Sequence, residues 1–182
     1  MTAGLADEVE LVTVPQSQRS VLLPILEESF EGMYLWHSKR TLQGIELVRE
    51  LRVSGERAGL SMLKMVAAGA GYVYYIAVSA RFRRRGLGGM LLDDALSHFL
   101  GVGADEVFAS VEEDNVESNA LFSSRGFVRT DRSFIASRYG QLRSLLMYRE
   151  MMIVPGEVVL RKTPGSSPPV TEAPPDGATP LA

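Results

Sequence analysis

The spacing of apolar and polar positions changes period several times along this chain, and each change predicts an element. Glu8 to Val14 is short and β-branched, a first strand ended by Pro15. Ser17 to Phe30 carries Val21, Leu22, Ile25, Leu26 and Phe30, a helical spacing with Pro24 near its start. A second helix is predicted from Met33 to Leu42. Ile45, Leu47, Leu51 and Val53 then alternate with Glu46, Glu50 and Arg52, the period of a half-buried strand. Ser54-Gly55-Glu56 turns the chain into a return strand, Ala58 to Val66, making a hairpin. Tyr72 to Val78 (YVYYIAV) is apolar or aromatic on both faces, as a buried central strand would be. Arg83 to Leu100 is a glycine-opened amphipathic helix with Leu87, Leu91, Ala95 and Phe99 on one side. Glu106 to Glu112 predicts a strand and Val116 to Ser124 a short helix. Phe127 to Thr130 and Leu145 to Val154 read as two closing strands, with Asp131 to Arg143 a mobile loop between them. The order predicts a mixed α/β (α+β) domain with a mostly antiparallel sheet flanked by helices.

Composition narrows the function without naming it. Of 182 residues, 46% are hydrophobic and 23% charged, with mean hydropathy +0.05, the profile of an ordinary globular domain. Thr163 to Ala182 holds six of the nine prolines and no aromatic or basic residue, so it reads as a disordered Pro-rich tail behind one domain at 1–162. A net charge of -3 excludes a whole-molecule basic field, and nucleic acid is not an expected partner. The absence of cysteine removes disulfides, thiolate nucleophiles and Cys-ligated zinc. The two histidines, His37 and His98, lie far apart, so no metal is expected. No signal peptide or membrane-length apolar run is visible, and the expected location is cytoplasmic, with no membrane partner.

The strongest chemical signal is Arg83-Arg84-Arg85-Gly86-Leu87-Gly88-Gly89, between the central strand and the amphipathic helix. Glycine lets the backbone approach a ligand, and the first helical turn offers unpaired N–H groups at the positive end of the helix dipole. Together they form a pyrophosphate cradle, to which Arg81, Arg83, Arg84 and Arg85 add charge. A Walker loop is excluded by the missing Gly-Lys-Ser/Thr. A Rossmann fingerprint is excluded by Leu91 where its third glycine belongs. The alternative is a glycine-softened helix entry with solvated arginines.

Arg83-x-x-Gly86-x-Gly88, after a strand ending Ile76-Ala77-Val78, resembles the coenzyme A binding motif of the GNAT N-acetyltransferases. Asn115-x-x-Ser118-x-x-Leu121-Phe122 followed by Gly126-Phe127 resembles that family's second motif. The likeness covers roughly Glu8 to Val154. It implies a splayed sheet and acetyl-CoA as co-substrate, with Arg83, Arg84, Arg85, Gly86, Leu87, Gly88 and Gly89 around the pyrophosphate. It further implies that Ile76, Ala77 and Val78 pair by backbone with the pantetheine arm, and that Asn115 and Ser118 lie beside it. Asn115 is equally suited to a plain helix N-cap. Homodimerisation is a further expectation, because strands after Gly126 often pair between subunits in the family.

The implied reaction is direct attack of a primary amine on the thioester, which needs a base, oxyanion donors and a departing thiolate. Backbone N–H groups near Ala77 and Val78 would serve the oxyanion. Phe122 stands where many members carry a tyrosine acid. Ser110 stands where the branch acetylating protein N-termini often has a glutamate. The catalytic residues are therefore open. Glu112, Tyr74 and Tyr139 are the candidates, with Tyr72, Tyr148 and Ser123 behind them. Glu27, Glu28 and Glu31 with Glu112, Glu113 and Asp114 would make an acidic rim favouring a cationic acceptor. Trp36 and His37 either line the same cleft or are core and surface residues; His98 faces solvent. The loop at Asp131 to Arg143 would close over the acceptor, a small-molecule or protein amine. The competing readings are an acyl-CoA sensor without turnover, kept open by Phe122 and the missing glutamate, and an acyltransferase using another acyl-CoA.

Overall fold

The computed structural model describes residues 8–165, so the expected tail beyond Gly165 and the first seven positions lie outside it. Seven strands form one sheet in the order β1-β2-β3-β4-β5-β7-β6: β1 (Val9–Thr13), β2 (Leu47–Val53), β3 (Glu56–Ala67), β4 (Ala70–Val78), β5 (Glu106–Glu112), β6 (Val128–Thr130) and β7 (Glu157–Lys162). Every pairing is antiparallel except β4 with β5. The helices are α1 (Leu23–Ser29), α2 (Gly32–Gly44), α3 (Leu87–Gly101), α4 (Val116–Ser124), α5 (Arg132–Tyr139) and α6 (Gln141–Met151). None of them is long and apolar enough to cross a membrane.

Two apolar layers sandwich the sheet. On one face, Leu92, Ala95 and Phe99 of α3 pack on Val73, Val107, Ala109 and Val111, with Phe122 of α4 and Phe127 closing the cluster. On the other face, Leu26 and Leu42 from α1 and α2 meet Val48, Leu60, Met62 and Ala77. Ile135, Met147 and Met151 from α5 and α6 cover Tyr72, Phe108 and Val159 on that same side.

Two irregularities shape the centre of the sheet. The first is a β-bulge: Met62 pairs with Tyr75 and Leu63 with Val73, so Tyr74 is an extra residue on β4. The insertion breaks two-residue alternation, and Tyr72 and Tyr75 come to lie on the same face. The second is a divergence. β4 and β5 pair only from Ala70 with Glu106 to Val73 with Ala109, while both strands run on to Val78 and Glu112. Past that point the backbone edges of the two strands face a gap.

The C-terminal third corrects the sequence reading. Leu145 to Val154, expected to be a strand, lies mostly in α6, and the expected loop at Asp131 to Arg143 contains α5. Ser144, Met147 and Met151 are the buried positions of α6, a spacing of three and four that fits a helix packed by one face. The exposed Leu142, Leu145 and Leu146 fill out the run and blur that period. Asp131 caps α5, its carboxylate accepting the Phe134 N–H at 2.8 Å. The strand that does close the sheet is β7, inserted between β5 and β6 within the chain. At the other end, the predicted first helix is divided: a 3-10 segment, Gln16–Leu22, precedes α1, with Pro24 accommodated in the first turn.

Candidate functional site

The divergence of β4 and β5 opens a cavity of about 500 Å³ that side chains reach from both faces of the sheet. That is within the roughly 300–1,000 Å³ of small-molecule sites. Its two walls are built differently.

The first wall is α4 with the neighbouring parts of β4 and β5; the start of α3 stands against α4, Gly88 facing Leu121, and none of Arg83 to Gly89 lines the cavity. Gly86 caps α3 at φ 77°, a left-handed conformation that leaves the first-turn N–H groups aimed away from the helix, and a Cβ added there would meet nothing within 4 Å. Arg84 is also left-handed, at φ 64°. The arginines divide their work. Arg83 braces the turn, its guanidinium donating to the Val78 carbonyl at 3.0 Å and the Glu28 carbonyl at 2.8 Å. Glu28 accepts from the Ser79 hydroxyl at 2.7 Å and the Ala80 N–H at 2.9 Å, hydrogen bonds that hold its carboxyl below the usual range. Arg84 reaches solvent, paired only loosely with Glu117 at 3.1 Å, and the Arg85 guanidinium lies 5.5 Å from the Phe82 ring. Gly89 serves packing: a Cβ there would fall 2.0 Å from the Arg125 guanidinium, which holds Asp93 at 3.2 Å.

Asn115 is the N-cap of α4, its side-chain oxygen accepting the Ser118 N–H at 3.0 Å. Both residues also line the cavity, with Ile76, Val73 and Phe122. Ala77 and Val78 do not line it; Ala77 packs on the α1–α2 side and Val78 towards Leu87 and Leu91. Asn119, which the motif reading passed over, clips the β5–α4 turn by donating to the carbonyls of Glu112 and Asn115 at 3.0 and 2.8 Å.

The second wall is assembled from α2, β4, α6 and the start of β7. Tyr72 is fully buried and shares a hydrogen bond of 2.7 Å with Ser110. Its ring meets that of Tyr74 edge-on at 4.7 Å, and the Tyr74 hydroxyl donates to the Glu150 carbonyl. Burial raises the phenol of Tyr72 far above its ordinary range and that of Tyr74 to about 12. Neither can serve as a base near neutral pH.

Tyr75 and His37 form a close pair, Oη to Nδ1 at 2.6 Å. Burial pushes the Tyr75 phenol up and the His37 imidazole down, so both are neutral near pH 7. The Met152 sulfur, 2.9 Å from Nε2, can only accept, which favours the imidazole proton on Nε2 and the phenol as donor to Nδ1. At the end of the wall Glu112 and Glu157 sit directly opposite each other on β5 and β7. The Tyr34 hydroxyl donates to Glu157 at 3.1 Å, and the Val154 N–H donates to its other oxygen at 3.1 Å. Desolvation, then these neighbouring carboxylates, raises the Tyr34 phenol well above its ordinary value.

Of the three residues expected to move protons, Glu112 and Tyr74 line the cavity and Tyr139 does not. Tyr139 packs against Phe108 beneath α5, with its hydroxyl buried and without a hydrogen-bond partner. Trp36 and His37 line the cavity, whereas Tyr148 and Ser123 are absent from it. Glu157 was not foreseen; its only sequence signal is its place at the head of a β-branched run after Pro155-Gly156. No cluster of metal-ligating side chains occurs among the described residues.

Comparison with known proteins agrees with this geometry. The structure resembles the ribosomal-protein-S18-alanine N-acetyltransferase of Escherichia coli, with TM-score 0.64 at 16% identity, covering 90% of this chain and 98% of that one. It resembles the PaiA N-acetyltransferase of Thermoplasma acidophilum in complex with coenzyme A, with TM-score 0.64 at 14% identity, covering 86% and 99%. A GNAT family acetyltransferase from Elizabethkingia anophelis with acetyl-CoA bound gives 0.62 at 15% identity, covering 85% and 97%. Likeness at such low identity establishes the fold. No protein in the curated sequence set matches the chain. The family model described as "Acetyltransferase (GNAT) family" matches residues 17–127, well over half of the chain, and this protein therefore belongs to the GNAT acetyltransferases.

Proposed function

We propose that the protein transfers the acetyl group of acetyl-CoA to a primary amine. The observation that carries this reading is the divergence of β4 and β5 past Val73 and Ala109, beside the glycine-capped start of α3. The gap supplies extended backbone for an amide-bearing chain, the start of α3 supplies N–H groups for a pyrophosphate, and the cavity joins the gap to a second wall.

The residues fit the cofactor. The backbone N–H groups from Gly86 to Gly89, with Arg84 and Arg85, would hold its phosphates, while Arg83 keeps the turn in place. The β5-facing backbone of β4 around Ile76 would pair with the pantetheine arm, and Asn115 and Ser118 would border it. When bound, acetyl-CoA supplies an acyl thioester already activated towards nucleophiles.

The rest is done by this chain. The acceptor enters as an ammonium from the α2–α6 side, and a carboxylate, Glu112 or Glu157, takes its proton through water. The neutral amine then forms an N–C bond to the carbonyl carbon as the C–S bond breaks, and the nitrogen gives its second proton to water, from which the departing thiolate can take one up. Backbone N–H groups of β4 beyond the bulge stabilise the oxygen that gains charge. Phe122 has no proton to give, so sulfur leaves as thiolate, which a thiol pKa of about 8.5 permits. Tyr72, Tyr74 and the Tyr75–His37 pair stay neutral and set the shape of the acceptor wall.

Titration of acetyl-CoA into the purified protein, followed by thiol release with an amine panel, tests the proposal. Micromolar binding and amine-dependent release are expected. A folded protein that ignores acetyl-CoA would sink it; binding with no release on any amine would favour the sensor.

A further inference from the structure

The acceptor wall is chemically one-sided in a way that narrows its substrate. Glu31, Glu112 and Glu157 line the cavity, and no lysine or arginine does so among the described residues. Glu112 and Glu157 are direct cross-strand neighbours, an arrangement of like charges that costs stability when nothing cationic lies between them. The donors that reach Glu157, the Tyr34 hydroxyl and the Val154 N–H, are both neutral. Arg40 stacks on Trp36 at 5.7 Å but does not line the cavity.

Apart from Ser29 and Ser110, the remainder of this wall is apolar or aromatic. Phe30 packs edge-on against Tyr75 at 5.1 Å, and Met151 is buried behind Tyr72. Three large apolar side chains that line the cavity stand open to solvent, Met33 at 75%, Trp36 at 61% and Met152 at 52% exposure. These side chains offer a ligand apolar surface at the cavity mouth.

Resting on the amine-acetylating reading, we propose that the acceptor is a singly charged primary ammonium on an apolar, uncharged body, with no carboxylate beside the amine. The ammonium sits at Glu112 and Glu157; the body lies along Phe30, Tyr75 and Trp36. An amino acid is disfavoured because its carboxylate would arrive beside two glutamates with no cation lining the cavity to meet it. A polyamine is disfavoured because its further charges would be buried unpaired against aromatic rings. A free hydrophobic amine and the N-terminus of a peptide beginning with an apolar residue share the favoured chemistry.

The test is thiol release from acetyl-CoA with four acceptors: 2-phenylethylamine, phenylalanine, spermidine, and the tripeptide Phe-Ala-Ala amidated at its C-terminus. The kcat/KM for 2-phenylethylamine should exceed those for phenylalanine and spermidine by at least about tenfold, the scale of one uncompensated charge near a protein surface. Glu157→Gln should raise the KM for 2-phenylethylamine by about tenfold with the Kd of acetyl-CoA unchanged. Trp36→Ala, at an exposed position that the fold does not need, should raise that KM with unchanged Tm. The tripeptide identifies the source: a higher kcat/KM than 2-phenylethylamine points to a peptide, a lower one to a free amine, and both results support the class. Faster turnover of phenylalanine or spermidine, or an unchanged KM in both variants, would overturn the proposal. So would the failure of 2-phenylethylamine to bind, by titration, to protein that binds acetyl-CoA. Loss of acetyl-CoA binding itself would instead remove the reading on which it rests.

Discussion

The two sides of the site are encoded in opposite ways. The α3–α4 side works through backbone: a left-handed Gly86, a bare helical turn, and a strand edge released from pairing. The few side chains it needs fall within two short stretches, Arg83 to Gly89 and Asn115 to Phe122. The acceptor wall works through side chains that arrive from α2, β4, β5, α6 and β7, separated by up to 123 positions in the Tyr34–Glu157 bond. Backbone recognition needs particular conformations and tolerates little change in sequence. Side-chain recognition can be rewritten one residue at a time, so that is the wall on which a change of acceptor would be made.

The severest way to break the contrast is to remove what both walls stand on. Phe99 is fully buried between α3 and the sheet, and Phe99→Ala should cost about 3–5 kcal/mol of folding stability, measured by urea denaturation. Next in size is a lesion confined to the backbone wall. Gly86→Glu should weaken acetyl-CoA binding by about 100-fold, whereas Gly86→Asn, which tolerates the left-handed conformation, should keep most of the affinity. If titration shows equal losses for both, strain and not the anion site is responsible.

A subtler lesion falls on the acceptor wall. Burial holds the His37 imidazole below its usual value of 6.5, so the unfolded chain binds the extra proton first as pH falls. Stability from this residue is complete above about pH 6.5 and declines as pH drops through the lower folded value. His37→Gln should therefore show a flatter dependence of Tm on pH between about 7.5 and 5 than the wild type, with acetyl-CoA affinity unchanged. The smallest effect belongs to Arg84, strained at φ 64° and open to solvent. Arg84→Gly should gain about 0.5 kcal/mol in thermal unfolding, the left-handed strain less the entropy glycine adds to the unfolded chain.

What the sequence made legible follows the same division. The hairpin β2–β3, the central strand and α3 have clean periods because each buries one face or both against a continuous core. Gly86 was readable as the entry to α3, where it is the N-cap in a left-handed conformation. The strand expected at Phe127 to Thr130 is β6, but beyond it the pattern misled. Leu142, Leu145 and Leu146 are exposed on α6, so apolar character no longer marked the buried side, and the run from Leu145 imitated a strand. Asp131, three residues ahead of the N–H it caps, was the overlooked sign of α5. Tyr34 and Glu157 were beyond reach for another reason: nothing local distinguishes them, and their pairing exists only once α2 and β7 have docked on the sheet.

The extra residue at Tyr74 has a consequence for how this protein can change. Because the bulge reverses the alternation of β4, the side assignment of Tyr75, Ile76, Ala77 and Val78 depends on a count of positions as well as on their identities. A point substitution at Tyr74 alters one contact, while removal of that single residue turns every later side chain of the strand to the opposite face. Tyr75 would leave His37, and Ile76 would leave the α3 side. The strand should thus accept many exchanges and almost no change in length. In a deep mutational library, the boundary of the site would be drawn most sharply by its insertions and deletions.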